Sequence, residues 1–236
     1  MSRLAVNIDP IALIRNSFGK QIPDPAHMVV LAEMGGAESI VCHLRGDLKT
    51  VNDRDVRVMQ EIAKTHFNVR CDVDAEVIRK LLTIKPHMIT FVNSDSRTSI
   101  DSQPIELETY AETIGNLTPD LRANDIMSSV LINPDINSVK LASRLELDYI
   151  ELNTSHYATA DDLDQQLAEL EELNNIAIAA NKLGLGVNAG GGLNQENLRD
   201  LAKIQYLEDL VVGDAIVVKS LAIGFEHAVR DFASLI

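Results

Sequence analysis

Three glycines in a row, Gly190, Gly191 and Gly192, end the apolar run LGLGVNAG and precede the helix-like NQENLRDLAKI. Backbone N–H groups without side chains in front of them can close on an anion, and a following helix start adds partial positive charge. Gly213 and Asp214 follow the next apolar run, EDLVVG, and precede the helical AIVVKSLAIGF. Both turns together read as a phosphate-binding site, although tight turns use glycine for their own sake. Asp214 either caps its helix, which leaves the site open to an anion, or faces the anion and repels it. Polar groups recur where other apolar runs end: Asn7 with Asp9, His43 with Arg45, Arg70 with Asp72, Asn93, Asn133, Glu151 with Asn153, and Asn188. Histidine can exchange a proton near neutral pH, and carboxylates can share that work or bind substrate hydroxyls. Arginine stays protonated and binds oxyanions. Each of these residues also has a bland reading, as a turn residue or, for Arg70, as the partner of Glu151, Asp9 or Asp72 in a buried ion pair. Their recurrence points to one polar pocket, in which Arg45 and Arg70 are expected to hold a second anionic group.

Such a pocket needs elements whose ends converge. The strand-like runs are residues 4–9, 39–44, 67–72, 87–93, 126–133, 148–153, 185–190 and 208–213, with helical patterns between them. Strands alternating with helices mean βαβ units and a parallel sheet. Eight evenly spaced units in 236 residues predict an α/β (β/α)8 barrel with extra helices, a single domain over 1–236, in preference to an open doubly wound sheet. Barrels place their sites at the strand C-terminal ends, often with phosphate held after strands 7 and 8. Alternation along a strand puts His43 and Arg70 on one face and Cys42 and Cys71 on the other, with Asn7 beside Asp9 and Glu151 beside Asn153. Residues 10–23 read as a long connection after strand 1, and the polar 94–104 as a loop of the kind that forms ligand sites and lids. The acidic run DDLDQQLAELEELNN reads as a solvated helix face or a contact between subunits.

The composition narrows the partners. A net charge of −14 with no Lys/Arg cluster argues against nucleic acid and acidic membrane surfaces. No apolar run approaches a membrane span, and MSRLAVNIDP lacks the features of a signal peptide. Cys42 and Cys71 read as small buried side chains in a reducing cytoplasm, and no metal-ligand spacing is present. Neither a metal nor another cofactor is expected.

In order and spacing, several segments make the chain resemble the pyridoxine 5′-phosphate synthase family of vitamin B6 biosynthesis. They are VNID (6–9), RN (15–16), PDP (23–25), LAE-x-GGAESI (31–40), HLR-x-D (43–47), DRDVR (53–57), YIELNT-x-x-YA (149–158), LGLGVNAG-x-GL (183–193) and VVGDAIV (211–217). The resemblance covers nearly the whole length. It implies a barrel with extra helices, an octameric homo-oligomer, and condensation of 3-amino-2-oxopropyl phosphate with 1-deoxy-D-xylulose 5-phosphate, releasing water and inorganic phosphate. It also implies substrate binding at Asn7 and Asp9, acid/base catalysis at His43, sugar-phosphate binding at Arg45, and backbone contacts to phosphate at Gly192 and Gly213.

The same resemblance exposes departures. Pro10, Phe18, Thr50 and Asp214 stand where the family has histidine, arginine, histidine and histidine. Arg70 replaces the catalytic glutamate of strand 3, and Gly191 replaces the proton-donating histidine after strand 7. Ile100 and Asp101 stand near the family's threonine pair. Ring closure needs several proton transfers, which neither a guanidinium nor a glycine can make. The expectation is a diverged family member that binds a phosphorylated small molecule, with synthase activity lost or altered. The alternatives are a working synthase with rearranged groups, another phosphate-substrate barrel enzyme using His43 with Asp9 or Glu151, and a structural partner within a family oligomer.

Overall fold

The computed structural model describes residues 2–93 and 102–236. Eight parallel strands close into a barrel in sequence order, each hydrogen-bonded to the next and the last to the first. They are β1 (Arg3–Asn7), β2 (Ser39–His43), β3 (His66–Cys71), β4 (Met88–Phe91), β5 (Met127–Ile132), β6 (Tyr149–Asn153), β7 (Gly186–Gly190) and β8 (Leu207–Val212). Around them run α1 (Asp9–Phe18), α2 (Pro25–Gly35), α3 (Asp53–Ile62), α4 (Ala75–Ile84), α5 (Leu107–Ala123), α6 (Ile136–Arg144), α7 (Ser155–Ala158), α8 (Leu163–Lys182), α9 (Leu198–Leu201), α10 (Asp214–Ile223) and α11 (Phe225–Ala233). Every expected strand is present, and the barrel has helices beyond one per strand.

The strand pattern explains where the core lies. Val6, Cys42, Val69, Cys71, Ile150, Leu152, Ala189 and Leu210 all belong to one large apolar cluster with residues of the helices, such as Val29, Leu121 and Phe232. That cluster fills the layer between barrel and helices. Inward-pointing neighbours at alternate positions are largely polar, and the apolar cluster made by the inner face is small: Ala5, Val41 and Val211. Both cysteines are free and buried on the helix side, as alternation requires. Burial raises both thiol pKa values well above the ordinary range, so neither supplies a thiolate.

The segment after β1 departs from expectation. The strand ends at Asn7, and Asp9 opens a helix with Pro10 in its first turn. Proline is pre-shaped for that position, because its fixed φ suits a helix and its missing N–H would have no helical partner. Residues 10–23 are therefore mostly α1, stopped by Gly19 in the left-handed region at φ 61°. Arg15 of α1 ion-pairs with Asp55 at 2.7 Å and Asn16 donates to the carbonyls of Lys49 and Thr50, both at 2.8 Å. These bonds tie α1 to α3 and to the loop after β2. The first half of the long α8 is exposed, including Leu163 and Leu167. The 94–104 segment lies mostly outside the described residues, Ile100 and Asp101 included; Gln103 returns to pair with Asn93 in an antiparallel bridge. Among the described residues no helix is long and apolar enough to cross a membrane.

Candidate functional site

A cavity of about 210 Å³ opens at the C-terminal mouth of the barrel. Asn7, Asp9 and Pro10 line it from β1 and α1, Arg70 from β3, Leu131 from β5, and Glu151 with Asn153 from β6. Gly190, Gly191, Gly192 and Leu193 line it beyond β7, and Val211, Gly213 and Asp214 beyond β8. Ser102 and Gln103 close one side, and Leu13 and Ser155 complete the wall. The structure thus brings together most of the residues singled out from sequence. The additional ones had a partial signal: Leu131 is in phase with Asn133 and Val211 with Gly213, both singled out at strand ends, and Ser155 follows a strand end by two positions. Ser102 and Gln103 had none beyond belonging to a polar loop.

Arg70 and Glu151 meet across the barrel. The Arg70 Nη2 bonds Glu151 Oε1, and Nε lies 3.4 Å from Oε2. Arg70 is 7% exposed and Glu151 is fully buried. Of the three carboxylates available on paper, Glu151 takes the guanidinium, and this compensates two charges that would be costly alone. Gly190 makes room for the pair: a methyl group there would lie 2.9 Å from Glu151 Oε1 and 3.4 Å from Arg70 Nη2.

Two residues singled out from sequence stand back from the cavity. Arg45 is not part of the cavity wall. It is fully buried and bound bidentately by Asp47, with Nε–Oδ1 and Nη2–Oδ2 both at 2.9 Å. That bond holds the Asp47 carboxyl well below the usual range. With Arg70 committed to Glu151 as well, the two guanidiniums do not converge on one anion at the mouth. His43 is also withdrawn from the wall. Its Nδ1 is 3.0 Å from Ser102 Oγ, and its Nε2 is buried with no hydrogen-bond partner among the described residues. Burial, and then the charges of Arg70 and Arg45, lower its pKa to about 3. His43 is therefore a neutral imidazole at working pH.

Asp9 behaves in the opposite way. Its N–H donates to Asn7 Oδ1 at 3.0 Å, and its own Oδ1 accepts the His43 N–H at 2.9 Å. Burial raises its pKa to about 7, against the lowering effect of the His43 amide and the two arginines. Asp214 is the exposed first residue of α10, whose N-cap is Gly213, so it does not cap the helix. Asn133 accepts from Asn153 Nδ2 at 2.9 Å outside the wall, and Asn188 sits deeper, accepting the Asp209 N–H at 3.1 Å.

The glycine run is shaped by its neighbours. Gly191 has φ 124° and Gly192 φ 71°. A methyl group on Gly191 would lie 2.8 Å from Asn153 Oδ1 and 2.9 Å from Ser155 Oγ. Both the dihedral and the space reject a side chain. Among the described residues, the N–H groups of Gly191, Gly192 and Gly213 donate to no protein acceptor. Unpaired amides beside a helix start are the arrangement that accepts an oxyanion. No group of three or more His, Cys, Asp or Glu side chains among the described residues is placed to hold a metal ion.

Comparison with known proteins gives a consistent relationship. The family model described as "Pyridoxal phosphate biosynthesis protein PdxJ" matches residues 4–236. The chain is 35% identical to the pyridoxine 5′-phosphate synthase of Geotalea daltonii over 236 residues, covering all of this chain and 99% of that one. It is equally similar, 35% over the same coverage, to the synthase of Geobacter metallireducens. Among solved structures, phosphoribosylanthranilate isomerase from Thermotoga maritima superimposes with a TM-score of 0.56 at 10% identity, covering 100% of this chain and 98% of that one. That last likeness concerns the fold.

Proposed function

The chain belongs to the PdxJ family of pyridoxal phosphate biosynthesis proteins, and on that premise we propose that it binds a phosphorylated small molecule at the barrel mouth while its synthase activity is lost or altered. The observation that carries this reading is the cross-barrel pair of Arg70 and Glu151. It occupies the position where the resemblance calls for a glutamate free to move protons. A guanidinium cannot do that work, and its partner carboxylate is committed to it. His43 remains in sequence, yet its buried imidazole does not titrate near neutral pH. Gly191 offers a backbone amide and no acid.

The binding half of the reading rests on different groups. The Gly191, Gly192 and Gly213 amides and the first turn of α10 supply donors and partial positive charge for an oxyanion, opposed by the Asp214 carboxylate, which lines the same cavity without capping the helix. Asn7, Asn153 and Gln103 supply uncharged hydrogen-bonding groups for the rest of a small polar ligand. A cavity of about 210 Å³ suits a short phosphate ester better than a nucleotide. Self-association belongs to the same proposal. Val218 and Leu221 of α10 are 69% and 82% exposed, an apolar surface suited to a second copy.

A ligand that binds only the folded state stabilises it by RT ln(1 + [L]/Kd), about 2.7 kcal/mol at a hundredfold excess over Kd. A short phosphate ester such as dihydroxyacetone phosphate is therefore expected to raise the melting temperature, and its dephosphorylated form is expected not to. Equal melting curves with and without millimolar ester would contradict the binding reading.

A further inference from the structure

Four ionisable side chains line the mouth cavity among the described residues: Asp9, Arg70, Glu151 and Asp214. Arg70 and Glu151 hold each other, and Asp214 stands exposed at the start of α10. Asp9 is different in kind. It is 7% exposed, yet it reaches the cavity, and two backbone N–H groups fix its place, its own on Asn7 and that of His43 on its carboxyl. It also adjoins the glycine turn after β8. A methyl group on Gly213 would lie 3.2 Å from Asn7 Cβ and 3.5 Å from Pro10 Cγ, so the Gly213 backbone packs on the residues beside Asp9.

We propose that Asp9 is the proton carrier of this cavity: an oxyanion that enters beside the glycine turns drives a solvent proton onto the Asp9 carboxyl and leaves it facing the ligand as an acid. The inference rests on the phosphate-binding reading above. A second negative charge close to a buried carboxylate disfavours its ionised form. Asp9 is already poised for this, because burial, offset in part by the His43 amide and the two arginines, raises its pKa to about 7. The other groups that face it do not compete. His43 on β2 is lowered to about 3, and the Cys42 thiol behind it is raised well beyond neutrality, both by burial first. Arg45 is bound by Asp47, Arg70 by Glu151, and both guanidiniums keep their charge. No covalent bond of the ligand breaks in this step; the proton comes from solvent and returns when the anion leaves. The proton-donating role that the resemblance places at 43, 70 and 191 then falls to a residue that it describes only as binding substrate.

The direction of the pH effect follows. Above about pH 7 Asp9 is ionised before the anion arrives, so an entering anion must bring a proton with it. Affinity then falls as pH rises, by at most about tenfold per pH unit. Below that point Asp9 is already protonated and affinity levels off. Sulfate is the probe, because it keeps its charge from about pH 6 to about pH 9. Calorimetric titration of the full-length protein with sulfate across that range is expected to show weakening at the alkaline end. Repeating it at one alkaline pH in two buffers of different ionisation heat is expected to show proton uptake. Asp9→Asn keeps the acceptor for the His43 amide and is expected to flatten the pH profile. Affinity independent of pH in the wild type, or a pH profile unchanged in Asp9→Asn, overturns the proton-carrier role and leaves phosphate binding standing. Absence of sulfate binding at every pH overturns both.

Discussion

Putting the family's acid/base residues back, as Arg70→Glu with Gly191→His, is expected not to restore synthase turnover. At position 191 the backbone has φ 124°, a region that L side chains rarely adopt, and the Cβ would lie 2.8 Å from Asn153 Oδ1 and 2.9 Å from Ser155 Oγ. Forcing a histidine there costs roughly 1–3 kcal/mol in backbone strain before any crowding is counted. At position 70 a glutamate would face Glu151 in a buried site, where two carboxyls cannot both ionise and one of them binds a proton. The imidazole would enter through a displaced loop, and a displacement on the order of 1 Å can itself cost about a hundredfold in rate. Each misplaced acid/base group forfeits about 10²–10⁴. The double variant is therefore expected to stay more than about a hundredfold below an ordinary enzyme turnover of about 10 s⁻¹, and to unfold at lower urea concentration than the parent. Turnover within tenfold of that figure would mean that the pocket has kept the family geometry around these two positions.

Removing Glu151 is expected to have the largest effect on stability. Its side chain is fully buried and ion-paired to Arg70, which is 7% exposed. Glu151→Ala leaves a guanidinium in a mostly closed space with no carboxylate, and breaking a buried pair in this way typically costs about 3–5 kcal/mol. Glu151→Leu with Arg70→Met removes both charges together, and is expected to recover most of that loss because apolar replacements of a buried pair are often close to neutral. Urea unfolding at neutral pH measures both variants. A loss below about 1 kcal/mol for Glu151→Ala would show that Arg70 finds water or another acceptor, and would weaken the view that the pair locks the mouth.

The barrel was legible because its strands are short apolar runs at regular spacing, and because strand alternation assigned Cys42 and Cys71 to the helix side without any tertiary information. Asp9 was placed at a strand end when it begins a helix, since the preference of Pro10 for a first turn competed with an unbroken VNID run. The partner of Arg70 stayed open among Asp9, Asp72 and Glu151 because β3 and β6 are brought face to face only by closure of the barrel. The anion-binding expectation for Arg45 rests on the family resemblance and on its place among the polar groups at the strand ends. Its bond to Asp47, two residues away, depends on the local turn and carries no periodic signal. The low proton affinity of His43 carries no sequence signal for a similar reason. It comes first from burial and then from the charges of Arg70, which only barrel closure brings near, and of Arg45, two residues away. At Gly191 the sequence lacks the histidine, and the backbone there has a φ and a spacing that exclude a side chain.

A single ³¹P nuclear magnetic resonance experiment addresses binding and chemistry in one sample. Purified protein is mixed with 3-amino-2-oxopropyl phosphate and 1-deoxy-D-xylulose 5-phosphate, and the phosphorus signals are followed against a protein-free control. Binding broadens or shifts the signal of an ester, whereas synthase turnover releases inorganic phosphate as a new line. The expected result is a broadened or shifted ester signal with no inorganic phosphate beyond that of the control. Inorganic phosphate growing at an ordinary enzymatic rate, about 10 s⁻¹ per chain, would contradict the loss of the acid/base set, and ester signals left sharp and unshifted would contradict the binding site.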